Sequence, residues 1–177
     1  RDITRNFLGF ARKGRFVKER VCLNDLVVET TNLLRHTISR KIAIEIDLDP
    51  DVGCIQGDRG LVNQALMNLC INSTDAMVDE GTLTIATETV MIEDPSALGI
   101  EGIEPGAHSK ITVKDTGSGM DDETLRQAFE PFFTTKSAQK GTGLGLSMVY
   151  GTVVSHDGAT TIESKPGSGT TITMIFP

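Results

Sequence analysis

No apolar run in this chain approaches the roughly 20 residues that a membrane-spanning helix needs, and no signal-peptide pattern opens it. No membrane contact is therefore expected of the residues in hand. Basic residues are in deficit, with 17 Lys and Arg against 24 Asp and Glu and a net charge of −7. Non-specific nucleic-acid binding wants a basic face, so no nucleic-acid partner is expected. Cysteine is scarce: Cys22, Cys54 and Cys70 form no CxxC pair, which removes a zinc knuckle or a redox dithiol. Three widely spaced cysteines read as free thiols in a reducing, cytoplasmic compartment. There is no internal repeat and no low-complexity tract. The GxxxxGK[ST] phosphate loop and the GxGxxG fingerprint are both missing. The first residue is Arg rather than Met, which leads us to expect a fragment of a longer parent that could carry a membrane anchor.

What is present suits one domain with a short appendage. The chain has 177 residues, 38% of them hydrophobic, and 18 glycines, a globular rather than disordered balance. Ile3, Phe7, Phe10 and Ala11 recur at helical spacing over residues 2–13, and Gly14 permits a stop. A second helix is predicted from an N-cap at Asn24 to about Ser39. Ile42, Ile44, Ile46 and Leu48 alternate with polar or small residues, as in a half-buried strand, and a short strand follows near Val52–Gln56. Asp58 is a good N-cap for a long helix reaching about Val78. Thr82–Ile92 and Lys110–Asp115 read as strands separated by a surface excursion. Asp121–Phe129 reads as a short helix and Gly143–His156 as another. Ala159–Ser164 and Thr171–Phe176 read as a closing hairpin. About five strands and three main helices indicate an α/β sandwich.

Four groups of residues carry chemistry. Asn68 and Asn72 are four apart on the long helix, so both amides share a face, together with Gln64 and Asp75. Two amide oxygens suit a hard cation such as Mg²⁺, which keeps waters and phosphate oxygens beside few protein ligands. Alone, the pair would equally suit a solvated polar face. Asp115 ends a strand and opens a turn through Gly117 and Gly119. A carboxylate only accepts hydrogen bonds, so in an apolar pocket it favours a group offering N–H donors, such as an adenine amine; an Asx turn is the plain alternative. Gly141, Gly143 and Gly145 form a loop running into a helix start, whose amides hold anions. Lys136 and Lys140 flank that loop within reach of phosphates. Phe132 and Phe133 are adjacent, and at least one is expected to pack beside the site or under the loop.

In combination these residues resemble the catalytic ATP-binding domain of sensor histidine kinases, in the GHKL (Bergerat-fold) superfamily, over about residues 20–177. The run from Gln64 through Asn68 and Asn72 to Ser73, Thr74, Asp75 and Ala76 is similar to the family's N box. Asp115 to Met120 resembles the DxGxGM box, and Glu130 to Lys136 the F box. Gly141, Thr142, Gly143, Leu144, Gly145, Leu146 and Ser147 resemble the second glycine box. Gly167 to Thr170 resembles the third.

The resemblance implies a Bergerat-type two-layer α/β sandwich, with a mixed, mostly antiparallel sheet of about five strands packed on three helices. It implies ATP and Mg²⁺ as ligands. Asn68 and Asn72 would serve the metal and phosphates, Asp115 would take the adenine amine, and residues from about 121 to 145 would form a lid. Residues 1–18 resemble the end of the second dimerisation helix and 19–177 the catalytic domain. The implied partners are a dimerisation domain carrying the acceptor His and a response-regulator receiver domain. His36, His108 and His156 do not sit in an acceptor context and read as packing or surface residues. Related sequences often carry Ala and a basic residue where this chain has Ser73 and Thr74, which shifts the phosphate contact to Lys136 and Lys140. Hydrolysing members of the superfamily carry a water-activating Glu where this chain has Asn68, and an amide is a poor proton acceptor. That difference favours a kinase over an ATPase; an ATP-binding module without kinase activity is the third reading.

Overall fold

A computed structural model describes residues 16–78, 80–97, 102–136 and 141–177. The predicted helix over 2–13 and the side chain of Lys140 lie outside these residues. A five-stranded sheet has the order β2-β4-β5-β7-β6, where β2 is Ile42–Leu48, β4 is Gly81–Ile92, β5 is Gly106–Asp115, β6 is Ala159–Ser164 and β7 is Thr170–Phe176. Only β2 and β4 run parallel; the other pairs are antiparallel. The sheet is thus mixed and mostly antiparallel, as the resemblance implied.

One core joins this sheet to three helices, α1 (Leu23–Arg35), α2 (Arg59–Ala76) and α4 (Gly145–Ser155). Leu26 and Leu34 of α1, Val62, Leu66 and Leu69 of α2, and Val149 and Val153 of α4 meet Leu83, Ile85, Ile111, Val113, Met174 and Phe176 of the strands. Each fully buried Leu, Ile or Phe here is worth roughly 1.5–3 kcal/mol. Side chains alternate faces along a strand, so Asp115 continues the inward row of Ile111 and Val113. That register explains why a carboxylate at the end of β5 is only 3% exposed.

The predicted cap at Asp58 forms, and a second cap forms at Asp121, which the sequence reads instead as the first helical residue. The Asp58 carboxylate accepts from Leu61 N at 3.0 Å, and Asp121 caps α3 (Asp122–Gln127) by accepting from Thr124 N at 2.8 Å. That amide holds the Asp121 carboxyl below its ordinary value. At Asp58, burial pushes the carboxyl up, but the amides of Val17, Leu61 and Gly60 and the nearby His156 outweigh it and leave it lowered.

Several expectations are corrected. Asn24 is not an N-cap but lies inside α1, which begins at Leu23 and ends at Arg35 rather than Ser39. Its Nδ2 donates to Asp49 O at 2.8 Å and its Oδ1 accepts from Thr87 Oγ1 at 2.6 Å, fastening α1 to the β2 turn and to β4. A strand absent from the sequence reading, β1 (Glu19–Cys22), pairs antiparallel with β3 (Cys54–Gly57) in a separate two-stranded sheet. Four residues with a single fully buried side chain, Val21, are too few to reveal alternation. The register sets Cys22 opposite Cys54, and the two form a disulfide. The expectation of three free thiols therefore fails: 32 residues of separation hide a direct cross-strand pair. Only Cys70 is free, and burial pushes its thiol up to about 12. β5 begins at Gly106, earlier than expected, so the surface excursion is shorter. Among the described residues no helix is long and apolar enough to cross a membrane.

Candidate functional site

The turn after β5 is stitched from three sides. Asp115 Oδ1 accepts from Gly117 N at 2.9 Å and from Thr170 N at 3.2 Å. Ser118 N donates to Ala76 O at 3.0 Å, at the end of α2, and Ser118 O accepts from Gly167 N at 2.7 Å. Met120 N donates to Ser164 Oγ at 2.8 Å, and that hydroxyl donates to Gly169 O at 2.9 Å. One oxygen of Asp115 thus orders its own turn and the β6–β7 hairpin, while among the described residues Oδ2 has no hydrogen-bond partner.

Glycine is required here by close approach. A Cβ on Gly117 would lie 2.8 Å from the Ala76 carbonyl oxygen. Gly119 (φ 66) and Gly169 (φ 80) are left-handed, and side chains there would collide with the carbonyls of Lys165 and Asp115 respectively.

On α2, Asn68 and Asn72 are both half-buried on one face, and Gln64 and Asp75 are exposed beside them. The first turn of α4 faces Asn72: a Cβ on Gly145 would lie 3.1 Å from Asn72 Nδ2. α4 starts at Gly145 rather than at Gly143, because Gly143 is left-handed (φ 67). Phe132 is left-handed too (φ 68), at a cost of about 1–2 kcal/mol for a residue with a Cβ, and its N–H donates to Gly143 O at 2.8 Å. The F-box segment and the second glycine segment are thereby joined. Phe132 itself is 67% exposed, while Phe133 is half-buried.

Lys136 reaches across to α2. Its Nζ donates to Asp75 Oδ2 at 2.7 Å and to Asn72 Oδ1 at 3.3 Å. An ammonium on Asn72 Oδ1 shows that this amide oxygen faces a position a cation can occupy. Among the described residues no three His, Cys, Asp or Glu side chains are grouped as a metal site. The donor set fits a hard cation held by amide oxygens, waters and a nucleotide's phosphates, and it fits no soft or tightly caged metal.

Asn68, Asn72, Asp75, Lys136, Gly143 and Gly145 are therefore gathered on one side. Asp115, Gly117, Gly119, Met120 and Thr170 are gathered at the neighbouring end of α2. Gly141 packs on Thr134 and Lys136, Thr142 Oγ1 accepts from Leu144 N at 3.4 Å, and Leu146 lies against the core. Two other hollows, one by Arg35 and Ile42 and one by Glu104 and His108, are lined by none of these residues. Ser164 and the Ala76 carbonyl were missed from sequence. Nothing local marks either, since each acts only through a partner brought in by the fold. The histidines behave as packing or surface groups: His156 Nε2 accepts from Asp58 N at 2.9 Å, His108 Nδ1 lies 3.0 Å from Gly106 O, and His36 caps α1.

The site thus consists of a buried carboxylate, an amide pair and a glycine loop on a two-layer α/β sandwich with a mixed sheet. The model of the histidine kinase-, DNA gyrase B- and HSP90-like ATPases matches residues 57–177, and the chain belongs to that family. Among curated relatives, the sensor kinase CckA of Brucella abortus is 34% identical over 176 residues, covering 99% of this chain and 19% of that protein. The signal transduction histidine-protein kinase AtoS of Escherichia coli is 31% identical over 176 residues, covering 99% of this chain and 26% of its own length. The chain thus spans about a fifth to a quarter of the length of these relatives. Among solved structures, the catalytic domain of the histidine kinase ThkA superimposes with a TM-score of 0.71 at 26% identity, covering 93% of this chain and 96% of that one. ShkA in complex with AMPPNP gives 0.74 at 21% identity, covering 99% of this chain and 34% of that one, a likeness of fold.

Proposed function

We propose that this chain is the ATP-binding catalytic domain of a sensor histidine kinase, which binds Mg-ATP and presents the γ-phosphate to a histidine on a dimerisation domain. In this reading Asp115 Oδ2 accepts the adenine amine, and the glycines at 117 and 119 let the base approach the backbone. The α4 N-terminus faces the phosphates, and Lys136 lends its charge to them while no metal occupies Asn72. Asn68 and Asn72 would hold Mg²⁺, which when bound neutralises phosphate charge. Phosphoryl transfer depends mostly on positioning and charge neutralisation, and the acceptor imidazole is itself the nucleophile. No base to activate water is then required. Asn68, four residues before Asn72 on α2, stands where hydrolysing members carry a water-activating Glu, and it is the observation that carries kinase over ATPase.

A response-regulator receiver domain is the proposed onward acceptor. A related ThkA structure, of similar fold (TM-score 0.73, 22% identity), is a complex with the response regulator TrrA, which supports this partner class. An ATP-binding module without transfer activity is the second reading, favoured only because no acceptor histidine is found among residues 16–177.

Calorimetric titration with Mg-ATP should reveal one site, and no binding at millimolar nucleotide would sink the proposal. Asn72→Ala should weaken Mg-dependent binding far more than binding in EDTA; equal losses would remove the metal role. Adding a separate dimerisation domain and labelled ATP should yield acid-labile phosphohistidine on that domain alone.

A further inference from the structure

The cation position on α2 is filled by the protein's own ammonium. Lys136 Nζ takes the Asn72 Oδ1 oxygen and the Asp75 carboxylate together. Its backbone is held from the other side, with Lys136 N donating to Thr134 Oγ1 at 3.1 Å and Gly141 packed on its Cβ. Among the described residues no other Lys or Arg hydrogen-bonds to Asn68, Asn72 or Asp75. The Lys136–Asp75 pair is partly exposed, with side chains 33% and 48% accessible. Exposed pairs of this kind are weak, so the ammonium is held in place yet readily displaced.

An amide oxygen that already accepts from an ammonium cannot also bind a divalent cation at full strength, because two cations a few ångströms apart repel. We infer that Lys136 is a stand-in cation. Without metal its ammonium sits on Asn72 and supplies the positive charge that a nucleotide's phosphates meet; with metal bound at Asn72 it is displaced. Occupancy of the metal position and the placement of the Glu130–Lys136 segment are thereby linked. The inference rests on the Mg-ATP reading above, and Lys136 acts in it as a phosphate-facing charge exchanged for the metal.

The test compares the chain with its Lys136→Met and Lys136→Arg variants, titrated calorimetrically with adenosine, with AMPPNP in EDTA and with AMPPNP in excess Mg²⁺. Lys136→Met should weaken AMPPNP binding in EDTA by about tenfold, the loss of one charge-assisted contact, and binding in Mg²⁺ by less than about threefold. Adenosine binding should be unchanged, and Lys136→Arg should restore most of the EDTA binding. In the nucleotide-free protein, the Asn72 side-chain amide NMR signals should move on Lys136→Met. Equal losses with and without Mg²⁺ would make Lys136 a plain phosphate ligand and overturn the inference. No loss in either, or unmoved Asn72 signals, would make the contact idle and overturn it as well. If the unaltered chain bound AMPPNP in neither condition, the Mg-ATP reading itself would fall first, and the inference with it.

Discussion

Asp115 has two oxygens with separable duties, and two substitutions tell them apart. Asp115→Ala removes the acceptor that Gly117 N and Thr170 N share. A buried amide left without a partner costs about 1–3 kcal/mol, so the two together cost about 2–6 kcal/mol. A domain of this size loses about 2–4 °C in Tm per kcal/mol, so a fall of at least several degrees is expected. Asp115→Asn is isosteric and keeps an acceptor oxygen toward both amides, so its Tm should drop far less. In the proposed reading it replaces Oδ2 by an NH2 group, a donor facing the adenine amine, itself a donor. Loss of a hydrogen bond to a charged acceptor is worth about 1.5–3 kcal/mol, or about 10- to 150-fold in Kd. Adenosine is the ligand to use, since it carries the amine without the phosphates. Inosine has a carbonyl oxygen where adenosine has the amine, so the Asp115→Asn variant should gain inosine binding as it loses adenosine. If that variant kept its adenosine affinity and gained nothing for inosine, the assignment of Asp115 to the base would be wrong.

Reducing the Cys22–Cys54 bond with dithiothreitol reopens a 32-residue separation, which chain-entropy reasoning values at about 3–4 kcal/mol. The urea midpoint should fall accordingly, and an unmoved midpoint would show that the bond contributes nothing. Cys70, buried with its thiol pushed up to about 12, should resist iodoacetamide until the chain unfolds; native-rate alkylation would contradict its burial. The Asp58 carboxyl is lowered in the folded state, so the stability it contributes is complete above the unfolded value of 3.8 and is lost as pH falls through the lower folded value. Thermal melts across that acid range should fall less steeply in Asp58→Asn, and parallel curves would refute the linkage. Gly169→Ala, which drives a Cβ into the Asp115 carbonyl at φ 80, should cost about 1–3 kcal/mol and weaken adenosine binding; a neutral melt would show that the hairpin yields freely.

What the sequence determined by itself is local. Asp58 caps the helix assigned to it, because a cap needs only a side chain three residues from an amide. The alternation of Ile42, Ile44 and Ile46 marks β2, and helical spacing alone puts Asn68 and Asn72 on one face. The order of the elements other than β1 was legible for the same reason, since periodicity acts over a few residues, whereas the mixed sheet was an implication of the family resemblance. Asn24 misled because a good capping residue serves equally well as a cross-link once Asp49 and Thr87 are folded against it.

Tertiary structure alone decided which distant groups meet. It paired Cys22 with Cys54 by strand register, brought Thr170 N to Asp115 across 55 residues and set Lys136 on Asn72 and Asp75. Among the described residues it also left Asp115 Oδ2 without a hydrogen-bond partner, while Oδ1 holds two amides. These contacts depend on how strands register and on which face each helix presents to the sheet. No local spacing encodes them, because the free energy that selects them comes from burying one shared core.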